Sequence, residues 1–169
     1  MAKKKSTNLR KVYLKGMNLD EVKSWCIQRG ESQYRGTQLF EWMYKKGISS
    51  FDEIINVKKI FIDYLKANCI LQTLKIIQKL QSKTDGSVKI LFCTHDNHFI
   101  ETVSMLEGKR HTVCISSQVG CSLDCDFCAT GKYGVSRNLT TGEIVDQLIY
   151  IRKHIKSPIT NVVFMGMGE

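Results

Sequence analysis

The 169-residue sequence has a single proline, Pro158, and no apolar run approaching the roughly 18 residues needed to span a bilayer. The first scarcity excludes collagen and proline-rich linkers, and the second a bundle of membrane helices. No apolar stretch follows the charged start Met1-Ala2-Lys3-Lys4-Lys5-Ser6, so no secretory signal is expected. The expected setting is the cytoplasm, away from membranes, with the chain a monomer. Hydrophobic residues make up 43%, too many for disorder throughout. Acidic residues are scarce only at the start. Residues 1–80 carry sixteen basic against seven acidic side chains, and residues 81–169 carry nine of each. The whole net charge of +9 therefore belongs to the first half. Such asymmetry points to a polyanion, nucleic acid first and anionic membrane second, with a plain solubilising tail as the bland alternative.

Seven cysteines is high for a chain of this kind, and the odd number argues against a disulfide framework. Metal binding or cysteine chemistry is the better expectation. Histidines 95, 98, 111 and 154 lack ligand spacing and stay unassigned.

Along the chain, residues 1–17 read as a flexible basic arm. Asn18-Leu19-Asp20-Glu21 reads as a capping box opening a helix that Gly30 ends. A second helix is predicted from about Arg35 to Lys46, with Leu39, Trp42 and Met43 inward and Gly47 as its C-cap. Ser50-Phe51-Asp52-Glu53 is another capping box, and Val57, Ile60, Phe61, Tyr64 and Leu65 follow amphipathic helical spacing. Trp25, Tyr34, Trp42 and Tyr44 could stack on bases, although such residues are more often core. Beyond Asn68, alternation at Leu74, Ile76 and Leu80, a turn at Asp85-Gly86 and another at His95-Asp96-Asn97 predict antiparallel strands. A strand at Thr112–Ser116, a Cys- and Gly-rich loop over 117–139, a helix opened by the Thr140–Glu143 capping box and a short strand over Thr160–Met165 form one βαβ unit. The helix should bury Ile144, Leu148, Ile151 and Ile155. The expected division is 1–72, a basic helical domain; 73–106, an antiparallel β connector; and 107–169.

Cys121, Cys125 and Cys128 form C-x3-C-x2-C in the loop after a strand. Structural zinc sites favour paired C-x2-C units and four ligands, whereas three close thiolates suit a [4Fe–4S] cluster with one open iron. Zinc with Cys114 as fourth ligand stays open as the alternative, and so does a fragment with only an interaction role. Glu101 falls on a predicted apolar face with Phe99, Val103 and Met105. Partial desolvation there would raise its pKa and make it a better base. An edge-strand glutamate in water is the commoner case on pattern alone. Cys26, Cys69 and Cys93 are read as packing cysteines.

The three-cysteine motif with Phe127 before its last cysteine resembles the signature of radical S-adenosylmethionine (SAM) enzymes. The wider run is more specific. Cys114-Ile115-Ser116-Ser117-Gln118-Val119-Gly120-Cys121, Arg137-Asn138-Leu139-Thr140 and Asn161-Val162-Val163-Phe164-Met165-Gly166-Met167-Gly168-Glu169 resemble the RlmN/Cfr family of RNA methyltransferases. The resemblance implies an α+β N-terminal part followed by the first βαβ unit of an incomplete radical-SAM (β/α) barrel. It implies methylation of adenine C2 in 23S rRNA, at position 2503, and in tRNA, at position 37, with the Cfr-type C8 reaction as the alternative. Cys121, Cys125 and Cys128 would hold the [4Fe–4S] cluster. Gly166, Met167, Gly168 and Glu169, with Phe127, would bind SAM. Glu101, in a Glu-Thr-Val motif, would be the general base. Cys114 would resolve a protein–RNA crosslink by a transient disulfide, although a strand cysteine is ordinarily a small buried hydrophobe. An electron donor such as flavodoxin would reduce the cluster. The family's methylated C-terminal cysteine has no counterpart among the seven, so the chain is expected to be an N-terminal piece that does not complete catalysis alone.

Overall fold

A computed structural model describes residues 11–123 and 125–168; most of the expected basic arm, residues 1–10, lies outside the described residues. Strand β1 (Val12–Tyr13) pairs in parallel with β2 (Cys69–Ile70) and closes the helical part of the chain. The Asn18 side chain accepts from the Glu21 amide and the Glu21 carboxylate from the Asn18 amide, which opens helix α1 (Leu19–Ile27) as the capping box predicts. Helix α2 (Gln33–Phe40) begins at Ser32 and does not run uniformly to Lys46. Residues Glu41–Lys46 widen into a π-turn, which Gly47 ends in the left-handed conformation. The Ser50 capping box forms but opens only a 3-10 turn, Phe51–Glu53. Helix α3 (Lys59–Asn68) starts later and in a different phase. It buries Phe61, Ile62 and Leu65, while Ile60, expected inside, is 76% exposed. The core of this part gathers Leu14, Val22, Cys26, Met43 and Leu65. Burial raises the thiol pKa of both Cys26 and Cys69 to about 11, as packing cysteines require.

Strands β3 (Leu74–Gln81), β4 (Val88–Thr94), β5 (Phe99–Glu107) and β6 (Arg110–Cys114) form an antiparallel meander. Strand β9 (Asn161–Val163) joins it in parallel beside β6, giving the order β3-β4-β5-β6-β9. The expected turns are present, with Gly86 and Asn97 in the left-handed region. A bulge between Ile76 and Gln78 breaks the alternation of edge strand β3, so Ile76, Ile77 and Leu80 are exposed. The region 117–139, expected as one loop, contains a hairpin, β7 (Gln118–Gly120) with β8 (Val135–Asn138). Val119 anchors it by packing into the sheet's core beside Leu139. The whole is a mixed α+β fold with a mostly antiparallel sheet. Helix α4 (Thr141–His154) connects the parallel strands β6 and β9.

Helix α4 departs most from its apolar pattern. Ile149 and Ile151 are buried, but Ile144 and Leu148 are only partly so, and the deepest residues include Glu143, Asp146 and Gln147. The reason is that α4 is covered on two sides. One side lies on the sheet, where Tyr150 meets Phe92 edge-on at 5.5 Å. The other side meets the helical part through polar partners. Asp146 forms a buried ion pair with Lys15 and accepts from the Thr73 amide (2.7 Å) and hydroxyl (2.6 Å). Arg152 donates to the Tyr44 carbonyl and Lys153 to the Ser49 hydroxyl. Backbone contact is direct at Gly142, where a Cβ would lie 2.5 Å from the Lys15 carbonyl oxygen. Among the described residues no helix is long and apolar enough to cross a membrane.

Arg137 of β8 ties the hairpin down. Its guanidinium donates to both oxygens of Asp96 (2.7 Å each) and both oxygens of Glu143 (2.9 Å each). The Arg137 hydrogen bond holds the Asp96 carboxyl well below the usual carboxylate range. Burial raises the Glu143 pKa, but Arg137 and the Thr140 cap outweigh it and the net shift is downward.

Two outcomes are expected. Asp146→Ala leaves Lys15 buried and uncompensated, and should cost about 3–5 kcal/mol in urea unfolding; a loss below about 1 kcal/mol would contradict the role given to the pair. Asp96 is depressed in the folded state, so its contribution is complete above the unfolded value of about 3.9 and is lost as pH falls below it. The stability of the native chain should therefore fall from about pH 4 downward more steeply than that of Asp96→Asn. Parallel acid-unfolding curves would refute the assignment.

Candidate active site

The strand alternation of β5 runs opposite to the sequence expectation. Ile100, Thr102 and Ser104 face α4 and are buried, so Phe99, Glu101, Val103 and Met105 occupy the open face of the sheet. The apolar residues beside Glu101 mark a partly exposed surface, not the core, and the expected desolvation is absent. Glu101 is 41% exposed and paired with Lys89 of β4 at 3.0 Å. Cys114 faces Val103 across β5 and β6, and Val163 across β6 and β9. It therefore shares the open face with Glu101, as a diagonal neighbour roughly 7–8 Å away. Cys93, read as a packing cysteine, lies on this same face opposite Phe99 and is only partly buried.

One side chain organises the segment that follows Cys114. Ser116 donates through its hydroxyl to the Glu101 carbonyl (2.7 Å), and the same oxygen accepts from the Met167 amide (3.1 Å). Its backbone is clamped by fully buried Gln147, which accepts from the Ser116 amide (2.9 Å) and donates to the Ser116 carbonyl (2.9 Å). Gln147 also accepts from Thr102 at 2.7 Å, which locks α4 to β5. Sequence reading passed over Ser116 and Gln147 as candidates, because a glutamine beside apolar helix positions carries no signal of its own. Its i, i+4 placement from Glu143 on the buried face was the available clue.

The Gly166–Gly168 turn is stitched to this same segment. The Gly166 amide donates to the Ile115 carbonyl, and the Met167 carbonyl accepts from the amides of Ser117 (2.8 Å) and Gln118 (3.0 Å). The Ser117 hydroxyl donates to the Gly168 carbonyl. The Met167 and Gly168 carbonyls, in the segment expected to bind SAM, already accept from the residues before Cys121. Glu169, the last of the four, lies outside the described residues.

Cys121 directly follows β7, in the long connection between β7 and β8, and its amide donates to the Gly134 carbonyl at 3.0 Å. Gly120 has φ 78° and passes so close to that carbonyl that no side chain fits. The Leu123 amide points at the Cys121 sulfur (3.4 Å). Cys125 and Cys128 are partly exposed, and Phe127 is 94% exposed, forming no wall of a pocket among the described residues. The donor set is three sulfurs on a hairpin-anchored loop. Three thiols are the donor chemistry of a cluster that leaves one iron open, but among the described residues these sulfurs are not gathered within 4.8 Å of one another. No disulfide joins any two of the cysteines, so the expected Cys114 disulfide is absent from this form of the chain.

The structure also gathers a group that the spacing hid. Ligand atoms of His95, Asp96 and Glu143 lie within 4.8 Å of one another. Arg137 already supplies the cation between these two carboxylates, so the group reads as a structural clasp.

Three comparisons bear on these residues. Residues 12–71 match the family described as the ribosomal RNA large subunit methyltransferase N-terminal domain. A probable dual-specificity RNA methyltransferase RlmN of Bacillus velezensis is 40% identical over 178 residues, covering 100% of this chain and 49% of that protein. The dual-specificity RNA methyltransferase RlmN of Geobacter sulfurreducens is 40% identical over 156 residues, covering 92% and 42%. The crystal structure of a radical SAM methyltransferase from Sphaerobacter thermophilus superposes with a TM-score of 0.87 at 37% identity, over 94% of this chain and 47% of that one. The chain spans about half the length of the curated relatives it matches. It belongs to the RlmN family and corresponds to the N-terminal portion of its members.

Proposed function

We propose that this chain is the RNA-gripping and cofactor-holding portion of a cytoplasmic methyltransferase acting at C2 of adenine in 23S rRNA and tRNA. The observation that carries the reading is the joint placement of Glu101 and Cys114 on the open sheet face. The Gly166–Gly168 turn and the start of the cysteine loop are bonded to the segment directly after Cys114. In this reading Cys121, Cys125 and Cys128 hold the [4Fe–4S] cluster, and Gly166–Glu169 with Phe127 binds SAM. When bound there and reduced by a donor such as flavodoxin, the cluster would supply one-electron chemistry toward SAM. Adenine C2 is electrophilic and has no lone pair with which to attack a methyl sulfonium, which is why cofactor chemistry is needed.

The chain's own residues then have separable tasks. Glu101 is held upright by Lys89 and stays open to solvent, so its carboxylate can take a proton from a base laid on the face. Cys114, a diagonal neighbour, offers the thiol that releases a crosslinked product. Ser116 is a positioning residue, because it fixes both the Glu101 backbone and the Met167 amide. The basic first half, with Lys45, Lys58 and Lys59 exposed, meets RNA mainly through phosphates.

Anaerobic reconstitution with iron and sulfide tests the reading. The chain should turn brown with a visible charge-transfer band. Any one of Cys121→Ala, Cys125→Ala or Cys128→Ala should abolish the colour, and Cys93→Ala should not. Stoichiometric zinc without colour, lost in Cys114→Ala, would replace the cluster by a zinc-stabilised RNA-binding module.

A further inference from the structure

The first half contains a pocket that the methyl-transfer reading does not use. It lies at the junction of α2 and the π-turn, has a volume of about 260 Å³, and is lined in part by Tyr34, Thr37, Glu41, Trp42, Lys46 and Asn56. In a regular helix the face that carries Tyr34 and Glu41 would continue to Lys45. Trp42, eight residues after Tyr34, borders that face as well, and with the extra residue of the π-turn over Glu41–Lys46 it is Lys46 that lines the pocket beside it. The Lys46 ammonium sits 3.4 Å from the centroid of the Trp42 ring. The opposite wall is fixed by Arg35, which donates to the Asn56 carbonyl at 3.2 Å. That contact holds Asn56 in the left-handed region, at φ 62°. Tyr34 is 70% exposed, a large aromatic face offered to solvent.

We infer that this pocket receives an unpaired base of the RNA. Three observations select that ligand. The volume is below the roughly 300–1,000 Å³ of sites for drug-sized molecules, and suits one heterocycle. Within the pocket the charges of Glu41 and Lys46 cancel, which suits a neutral ring and disfavours a phosphate inside. The surroundings carry the exposed cations Lys45, Lys58 and Lys59, which suit the flanking phosphates. Tyr34 supplies the stacking face, Glu41 an acceptor for exocyclic amino groups, and the Asn56 amide a paired donor and acceptor. A duplex keeps its bases stacked inside and cannot use these groups. The pocket therefore distinguishes loops from stems while the surrounding lysines bind both.

The inference rests on the RNA reading above, and the test separates the two. The probes are a labelled single-stranded RNA of about 12 nucleotides and a blunt duplex of the same sequence, both followed by fluorescence anisotropy against the 169-residue chain. The native chain should bind both probes at low salt. Tyr34→Ala should weaken the single strand about 5- to 150-fold and leave the duplex unchanged, and Tyr34→Phe should restore the single strand. Trp42 emission should be quenched by the single strand and not by the duplex. If the native chain binds both probes and Tyr34→Ala alters neither, this inference fails while the RNA reading stands. An equal loss for both probes also overturns it. If the native chain binds neither probe, the RNA reading fails and this inference with it.

Discussion

Everything else in this chain is arranged around the contact between Lys15 and Asp146. One partner belongs to the segment after β1, the other to the middle of α4, and both are buried. The second carboxylate oxygen binds Thr73, the residue at which the helical part gives way to the sheet. A buried ion pair carries a large desolvation penalty, so its net contribution to stability is small even though its loss is severe. Its value lies in specification. An apolar contact between the two hydrophobic clusters could slide, whereas this carboxylate has one arrangement that satisfies an ammonium, an amide and a hydroxyl together. The polar buried face of α4 follows from that constraint, and the orientation of Gln147 and Ser116 follows from the face.

How far the sequence foretold this depends on whether a signal was local. All three capping boxes form, because each is complete within four residues. The turns at Gly86 and Asn97 were equally legible, since backbone conformation there is decided by the turn residues themselves. The faces were not. Spacing with Val57, Phe61, Tyr64 and Leu65 puts Ile60 on the inward face, whereas α3 turns Phe61, Ile62 and Leu65 to the core and leaves Ile60 outside. Glu101 was assigned to the buried side because Phe99, Val103 and Met105 are apolar. The side actually buried carries Thr102 and Ser104, whose hydroxyls bond Gln147 and His111. Hydrophobic periodicity cannot see a polar group satisfied by a partner on another element, 7 residues away for Ser104 and 45 for Thr102. The β7–β8 hairpin was hidden for the same reason: its clasp joins Asp96, Arg137 and Glu143.

The candidate site was more legible than its geometry. The three-cysteine spacing and the run around it identify residues by order along the chain. Their mutual placement depends on register, which only the strand pairing supplies. Register puts Cys114 beside Val103, and hence diagonal to Glu101. It also moves Glu101 out of a low-dielectric setting into an ion pair with Lys89. The desolvation argument for Glu101 falls with that change, and the role proposed for it rests on position alone.

The close approach at Gly142 has a metrical consequence. The first turn of α4 rests against the Lys15 carbonyl with no room for even a methyl group between them. The helical part and α4 are in direct backbone contact at this point, so a side chain at 142 would force the two apart. In the proposed function such a contact would set the spacing between the surface around Tyr34 and the sheet face that bears Glu101. An RNA seated on the first half would then present to the second half the nucleotide at that span, which makes target choice partly a measurement of folded shape.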